Sequence, residues 1–346
     1  MFTSRKNPIR QTAMIISASR RTDISAFYSQ WFMQRIRAGF FYRVNPFNSN
    51  QLSGFSLKPE DVNAICFWSK NPEPLTQYLD ELEQRGFNYY FQFTLNPYGP
   101  EFEPHLPPLD QRIATFRELA RRITPQRVVW RYDPVILTSV TPISWHLEQA
   151  EQLAGQLAGA TCRMMFSFYD YYGKGQGRLE KALHDSAIRL EDITAPEKRA
   201  ELHRLVSGFK RIAERYQLQI VTCCEDLDLS HFGIAHGACI DGDLIREQFG
   251  SVIAFNKDKN QRRACGCVES VDMGSYNSCR FRCRYCYANF NPGILESNCR
   301  RHDPESPLLL GGHQGELEIR RSLRRDRNNR GNCSQPLLFD GEAERE

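Results

Sequence analysis

Six times in its first 225 residues the chain runs through a short apolar stretch, breaks into polar residues and then takes up helical spacing. The apolar stretches cover residues 14–16, 64–68, 89–95, 127–131, 162–168 and 219–222. Between them, Phe27, Trp31, Phe32, Arg35 and Ile36 fall on one helical face, and helices are expected over 74–85, 109–123 and 196–216. Strands rich in Val, Ile and Phe that alternate with helices of about a dozen residues indicate parallel strands joined by right-handed crossovers. The fold class is therefore α/β. Six such units predict a full or partial (β/α) TIM-like barrel, with an open doubly wound sheet as the alternative. The barrel is expected over 12–228, a cysteine-rich extension that binds iron–sulfur over 229–306, and a poorly ordered tail over 307–346.

In a barrel of this kind the site forms where the strands end and the βα loops gather. Those ends carry Arg20, Arg21, Asp23, Lys70, Asn71, Asn96, Arg131, Asp133, Asp170 and Glu225. The bland reading is that a polar residue follows any strand. The functional reading takes Arg20, Arg21, Lys70 and Arg131 as binders of carboxylate or phosphate, which implies a small or nucleotide-like anionic substrate. Asp133 and Glu225 are candidates for acid–base work or for orienting a ribose, Asp23 for a further catalytic role, and Arg20, Asn96 and Asp170 for holding a cofactor.

The cysteines narrow the chemistry. Eight of the chain's 12 lie between Cys223 and Cys286. The basic segment 1–11 lacks an apolar core of the kind a secretion signal needs, and no run of about 18 apolar residues occurs, so a cytoplasmic protein with no membrane partner is expected. In that setting clustered thiols mean metal or redox chemistry. A formal charge of +4 does not by itself predict nucleic-acid binding.

The sharpest motif is Cys279-Arg280-Phe281-Arg282-Cys283-Arg284-Tyr285-Cys286. Three thiolates so close converge only if the loop wraps around something, and a [4Fe–4S] cubane held by three of them keeps one iron open. The interleaved arginines favour the thiolate forms. This C-x3-C-x2-C spacing, with an aromatic before the last cysteine, resembles the signature of the radical S-adenosylmethionine enzymes. The resemblance implies a cluster that binds S-adenosylmethionine and draws on an external donor such as flavodoxin or ferredoxin. The chain departs from that superfamily in placing the motif near its C-terminus and in lacking a Gly-Gly-Glu segment after the second strand. The alternative metal is structural zinc, on Cys283 and Cys286 with Cys265 and Cys267. A second, fully ligated cluster is expected on Cys223, Cys239, Cys265 and Cys267, with Cys224 as substitute; its rival is that Cys223, Cys224 and Cys239 are buried small hydrophobes. Cys66 and Cys162 read as core, while Cys299 and Cys333 take no role. His231 and His236 read as ordinary surface or core histidines, and the glycine-rich 173–177 as a phosphate cradle or a simple loop.

Several strings taken together carry a family likeness. They are Ser17-Ala18-Ser19-Arg20-Arg21-Thr22-Asp23, Phe67-Trp68-Ser69-Lys70-Asn71-Pro72, Gln92-Phe93-Thr94-Leu95-Asn96, Trp130-Arg131-Tyr132-Asp133-Pro134 and Lys257-Asp258-Lys259-Asn260-Gln261. With Cys265-Gly266-Cys267 and the three-cysteine loop, they resemble the domain-of-unknown-function 1848 family. That likeness implies a radical-adenosylmethionine-like cysteine cluster at the C-terminal end, here Cys279, Cys283 and Cys286, and implies no substrate. A competing function is a metal-stapled nucleic-acid-binding or repair protein, with zinc or a structural cluster. It rests on the loop arginines, on Phe281, Tyr285, Tyr287 and Phe290, and on the arginine-rich 320–330. A third reading makes the cluster structural and the barrel hydrolytic.

Overall fold

A computed structural model describes residues 14–45, 48–170, 176–184, 186–311 and 318–321. All six apolar stretches are strands: β1 (Ile15–Ala18), β2 (Ala64–Ser69), β3 (Tyr89–Thr94), β4 (Val128–Val135), β5 (Arg163–Phe168) and β6 (Gln219–Cys223). Two very short strands, β7 (Ala235–Gly237) and β8 (Val271–Asp272), complete an eight-stranded parallel sheet in the order β7-β6-β5-β4-β3-β2-β1-β8. From β1 to β7 the strands follow one another across the sheet, and β8 returns to the outer side of β1, so the sheet is singly wound and the doubly wound alternative fails. It is also open: β7 and β8 do not pair with each other. The α/β class holds, and of the full or partial barrel expected the full, closed form is not formed: the sheet stays open. Strands of three and two residues offer too few ladder hydrogen bonds to join the two edges.

The period-two alternation of the strands sorts their side chains onto two faces. Ile16, Phe67, Phe91, Trp130 and Phe166 pack against the helices Ser29–Ala38, Leu109–Ile123, Ile143–Gln156 and Arg199–Arg215, through Trp31, Phe116, Leu153 and Phe209 among others. Ile15, Cys66, Tyr90, Val129, Met165 and Val221 form the opposite face. There the covering segment brings Cys239, Ile240, Leu244, Ile245, Cys265 and Cys267. The helices thus lie on one side of the sheet and the cysteine-bearing segment on the other.

The expected helix 74–85 is two short ones, Glu73–Thr76 and Leu79–Gln84. Between the first helices and β2 the chain inserts a hairpin, Phe40–Asn45 with Asn48–Ser56, that the apolar pattern did not announce. From the tail, residues 318–321 pair in parallel with that hairpin; the rest of the arginine-rich run, Cys333 and the 173–175 part of the glycine loop lie outside the described residues. Among the described residues no helix is long and apolar enough to cross a membrane.

Candidate functional site

Every residue picked out at a strand end stands on the C-terminal rim of the parallel sheet, and the three-cysteine loop lies over that rim. The rim is fastened first by Asp272 of β8. Its carboxylate accepts from Ser19 Oγ at 2.6 Å and from the Arg20 amide at 3.0 Å. Asp23 fastens β1 to β2: it caps the helix Ile24–Phe27 through the Ala26 amide at 3.0 Å and accepts from Ser69 Oγ at 2.8 Å and the Lys70 amide at 2.7 Å. Burial pushes the Asp23 carboxyl up to about 6. Its three donors make Asp23 a tie between β1, the helix that follows and β2.

The loop is threaded onto this rim. Thr22 Oγ1 donates to the Ser275 carbonyl at 2.9 Å, Tyr28 Oη to the Ser278 carbonyl at 2.7 Å, and Asn277 Oδ1 accepts from the Phe290 and Asn291 amides at 2.7 and 2.9 Å. Asn277 and Arg282 take left-handed backbone, which lets the chain double back. Phe281 anchors the loop from inside, 4.5 Å from Phe27. As a result Cys279, Cys283 and Cys286 come near enough to perturb one another. Burial pushes the Cys279 thiol up to about 12 and raises Cys283 as well. The Ala288 amide donates to Cys286 Sγ at 3.4 Å.

Lys70 lies beside Cys283, but its charge is already answered. Its ammonium donates to Glu103 at 2.7 Å and sits 5.5 Å from the Tyr285 ring, and the Tyr285 hydroxyl also donates to Glu103. Burial disfavours the Lys70 ammonium, yet Glu103 outweighs it and holds the pKa above the ordinary value. Lys70 therefore braces the loop. Asn96 is similarly committed, exchanging hydrogen bonds of 2.8 and 2.9 Å with the backbone of Asp133. Both ends of its amide are used in holding β3 to β4.

A second thiol group lies on the inner face. Cys223 and Cys239 touch, sulfur to sulfur, at 2.8 Å. Cys267 lies beside both Cys239 and Cys265, and Cys265 beside Cys224, so five sulfurs form one contiguous arc. The Ile240 amide donates to Cys267 Sγ at 3.4 Å. Arg131 borders the arc, donating to Cys239 Sγ at 2.8 Å and to Asp133, which in turn holds Ser167. Trp68 lies between two cations, with Arg131 4.9 Å and Arg20 5.7 Å from its ring. One Nη of Arg20 and the Trp68 indole nitrogen are buried without a hydrogen-bond partner. Among the described residues no group of His, Cys, Asp or Glu stands ready-made to hold a metal ion; the inner sulfurs pack on one another and would need side-chain rotation to surround one.

The remaining picks scatter. Arg21 lies over Tyr276 at 4.8 Å, and Asp170 pairs with Arg262 at the surface at 2.9 Å. Glu225 accepts from the Phe168 amide at 2.7 Å, and burial pushes its carboxyl up to about 7. Cys162 is exposed, because it stands one residue ahead of β5, whereas Cys66 is in the core as expected. His231 and His236 do not meet: one stacks on Phe232 and the other sits on β7 by Thr222. Sequence reasoning missed Trp68, Glu103 and Asp272. Only Glu103, an acid in an apolar, proline-rich loop, carried a local signal.

The model of a family described as a domain of unknown function, DUF1848, matches residues 15–288. The chain belongs to this family. The DUF1848 match begins at β1 and ends just past Cys286, so it takes in both thiol groups and the rim between them. No curated protein and no solved structure matches.

Proposed function

We propose that this DUF1848 chain is an iron–sulfur enzyme of the radical S-adenosylmethionine type, with Cys279, Cys283 and Cys286 holding a [4Fe–4S] cluster over the sheet rim. The observation that carries the reading is the gathering of three thiols of one loop, Cys283 buried and Cys279 and Cys286 half-buried, at the C-terminal ends of parallel strands, where such folds keep their chemistry. The donor set fits: burial holds Cys279 and Cys283 protonated, and a bound metal takes the proton's place. When bound, such a cluster supplies single electrons at its open iron, the chemistry that cleaves S-adenosylmethionine to a deoxyadenosyl radical.

The chain's own residues define what lies beneath. Arg20, which keeps one Nη without a partner near the Trp68 ring, binds an anionic group of the substrate, while Asp133 with Ser167 fixes the Arg131 fork beside it. The Lys70–Glu103–Tyr285 group sets the height of the loop and keeps water from the cysteines. Exposed Tyr276, Tyr287 and Phe290 offer an external electron donor such as flavodoxin or ferredoxin a place beside the loop. The nucleic-acid reading loses the support of its three loop arginines, which are engaged within the fold. Arg280 lies over Phe27 and Tyr28, Arg282 pairs with Glu296, and Arg284 donates to the Ala182 carbonyl.

Anaerobic purification with iron and sulfide counting, followed by dithionite and S-adenosylmethionine, tests the reading. About four irons held by the loop, with deoxyadenosine release, are expected, and both disappear when Cys279, Cys283 or Cys286 becomes serine. Zinc at the loop in air-protected protein, or a protein side chain filling the fourth position, overturns it.

A further inference from the structure

The inner thiol arc is left unused by that reading and does not depend on it. We infer that Cys223, Cys239, Cys265 and Cys267 form a second metal centre, ligated wholly by protein sulfur, with Cys224 at its rim.

Four observations lead there. The five thiols come from three separate stretches of chain, the end of β6, the turn after β7 and the Cys265-Gly266-Cys267 bend, and meet on a sheet face otherwise lined by Ile15, Ala64, Tyr90, Val129 and Val221. Chance burial of small apolar residues does not require five sulfurs in one arc. The backbone is bent to deliver them: Cys224 takes left-handed φ, at 57°. A Cβ on Gly266 would come within 2.9 Å of the Gly237 carbonyl, so the bend fits only with glycine. Donors already aim at the sulfurs, from the Ile240 amide to Cys267 and from Arg131 to Cys239 and Cys223. Charge agrees as well. Arg131 and Arg20 bring two buried cations to the edge of the sulfur group, and Arg20 keeps one Nη without an acceptor. Four thiolates on a divalent ion carry a net negative charge that both guanidiniums complement.

Sulfurs in mutual contact suit a single tetrahedral ion of zinc or ferrous iron. Metal–sulfur bonds of about 2.3 Å set the sulfurs about 3.8 Å apart, while an iron–sulfur cubane spreads them further. Cys224 is left out of the set because it reaches only Cys265 and is shared with Arg262.

The test uses full-length protein carrying Cys279→Ser, Cys283→Ser and Cys286→Ser, purified without air, so that failure of the loop reading and failure of this one are separable. Retained zinc or iron near one ion per chain is expected. Metal without sulfide marks a single ion; metal with matching sulfide marks a cluster on the same four sulfurs, and either upholds the site. Alkylation with mass mapping gives a readout that needs no further variant. Before chelation Cys224 labels and Cys223, Cys239, Cys265 and Cys267 do not; after chelation all five label. Equal labelling before and after, absence of metal, or recovery of Cys223 and Cys239 as a disulfide in air-protected protein overturns the inference. Adding Cys239→Ser with Cys267→Ser removes the metal; its persistence there overturns the assignment equally.

Discussion

Glu103 shows how much of this site depends on single buried charges. Its side chain is fully buried and answers Lys70 and, at 3.8 Å, Arg112. Removing one member of such a pair strands the other, at a cost of about 3 kcal/mol. Glu103→Ala should accordingly lower the urea midpoint sharply, and Glu103→Leu with Lys70→Met should recover most of it; equal midpoints for Glu103→Ala and wild type would refute the pairing. His146 makes a second residue-scale case. Its Nε2 donates to the Ile136 carbonyl at 3.0 Å, its Nδ1 accepts from Tyr132 Oη at 2.9 Å, and burial pushes its pKa down to about 4. The folded state resists a proton that the unfolded chain accepts near pH 6.5. Stability is therefore full above 6.5 and falls by about 3 kcal/mol as the pH drops toward 4. His146→Gln should flatten that slope, as read by unfolding midpoints at pH 4.5 and 7.

Among the elements, legibility followed burial pattern and length. The helix Leu109–Ile123 was plain from Ile113, Phe116, Ala120 and Ile123 at helical spacing, and β2 and β3 from unbroken apolar runs. By contrast β7 reads Ala-His-Gly and β8 Val-Asp. Strands that short hold no period, and their pairing is decided by partners far away in sequence. The site divides the same way. The cysteine loop was visible because its cysteines are close in sequence, while the Lys70–Glu103–Tyr285 group was not, since its members join only through the fold. The ties made by Asp23 and Asn96 were not legible, because a residue at a strand end looks the same whether it faces a ligand or ties the backbone. β8 itself offers an element-scale prediction. It pairs with β1 at two positions only, and a Cβ on Gly274 just beyond would lie 1.9 Å from Ser19 Oγ. Gly274→Ala should cost about 1–3 kcal/mol by overpacking and speed amide exchange at the β1–β8 pairing; unchanged exchange would show that the contact is slack.

For the molecule as a whole, the two-faced sheet means that the strand-and-helix portion is not self-sufficient. Residues 14–228 alone would expose Ile15, Tyr90, Val129, Met165 and Val221, now covered by the cysteine-bearing segment. That fragment should aggregate or bind hydrophobic dyes; a soluble fragment with native near-ultraviolet dichroism would contradict this. The covering segment has one more property. Both margins of the unclosed sheet, β7 and β8, flank the same stretch, residues 238–270, and Cys239, Cys265 and Cys267 sit inside it. An ion gripping those sulfurs together with Cys223 would rivet the two margins across a gap that backbone pairing leaves unspanned. Loading the inner centre and locking the ring would then be one event, and the empty protein should breathe along that seam.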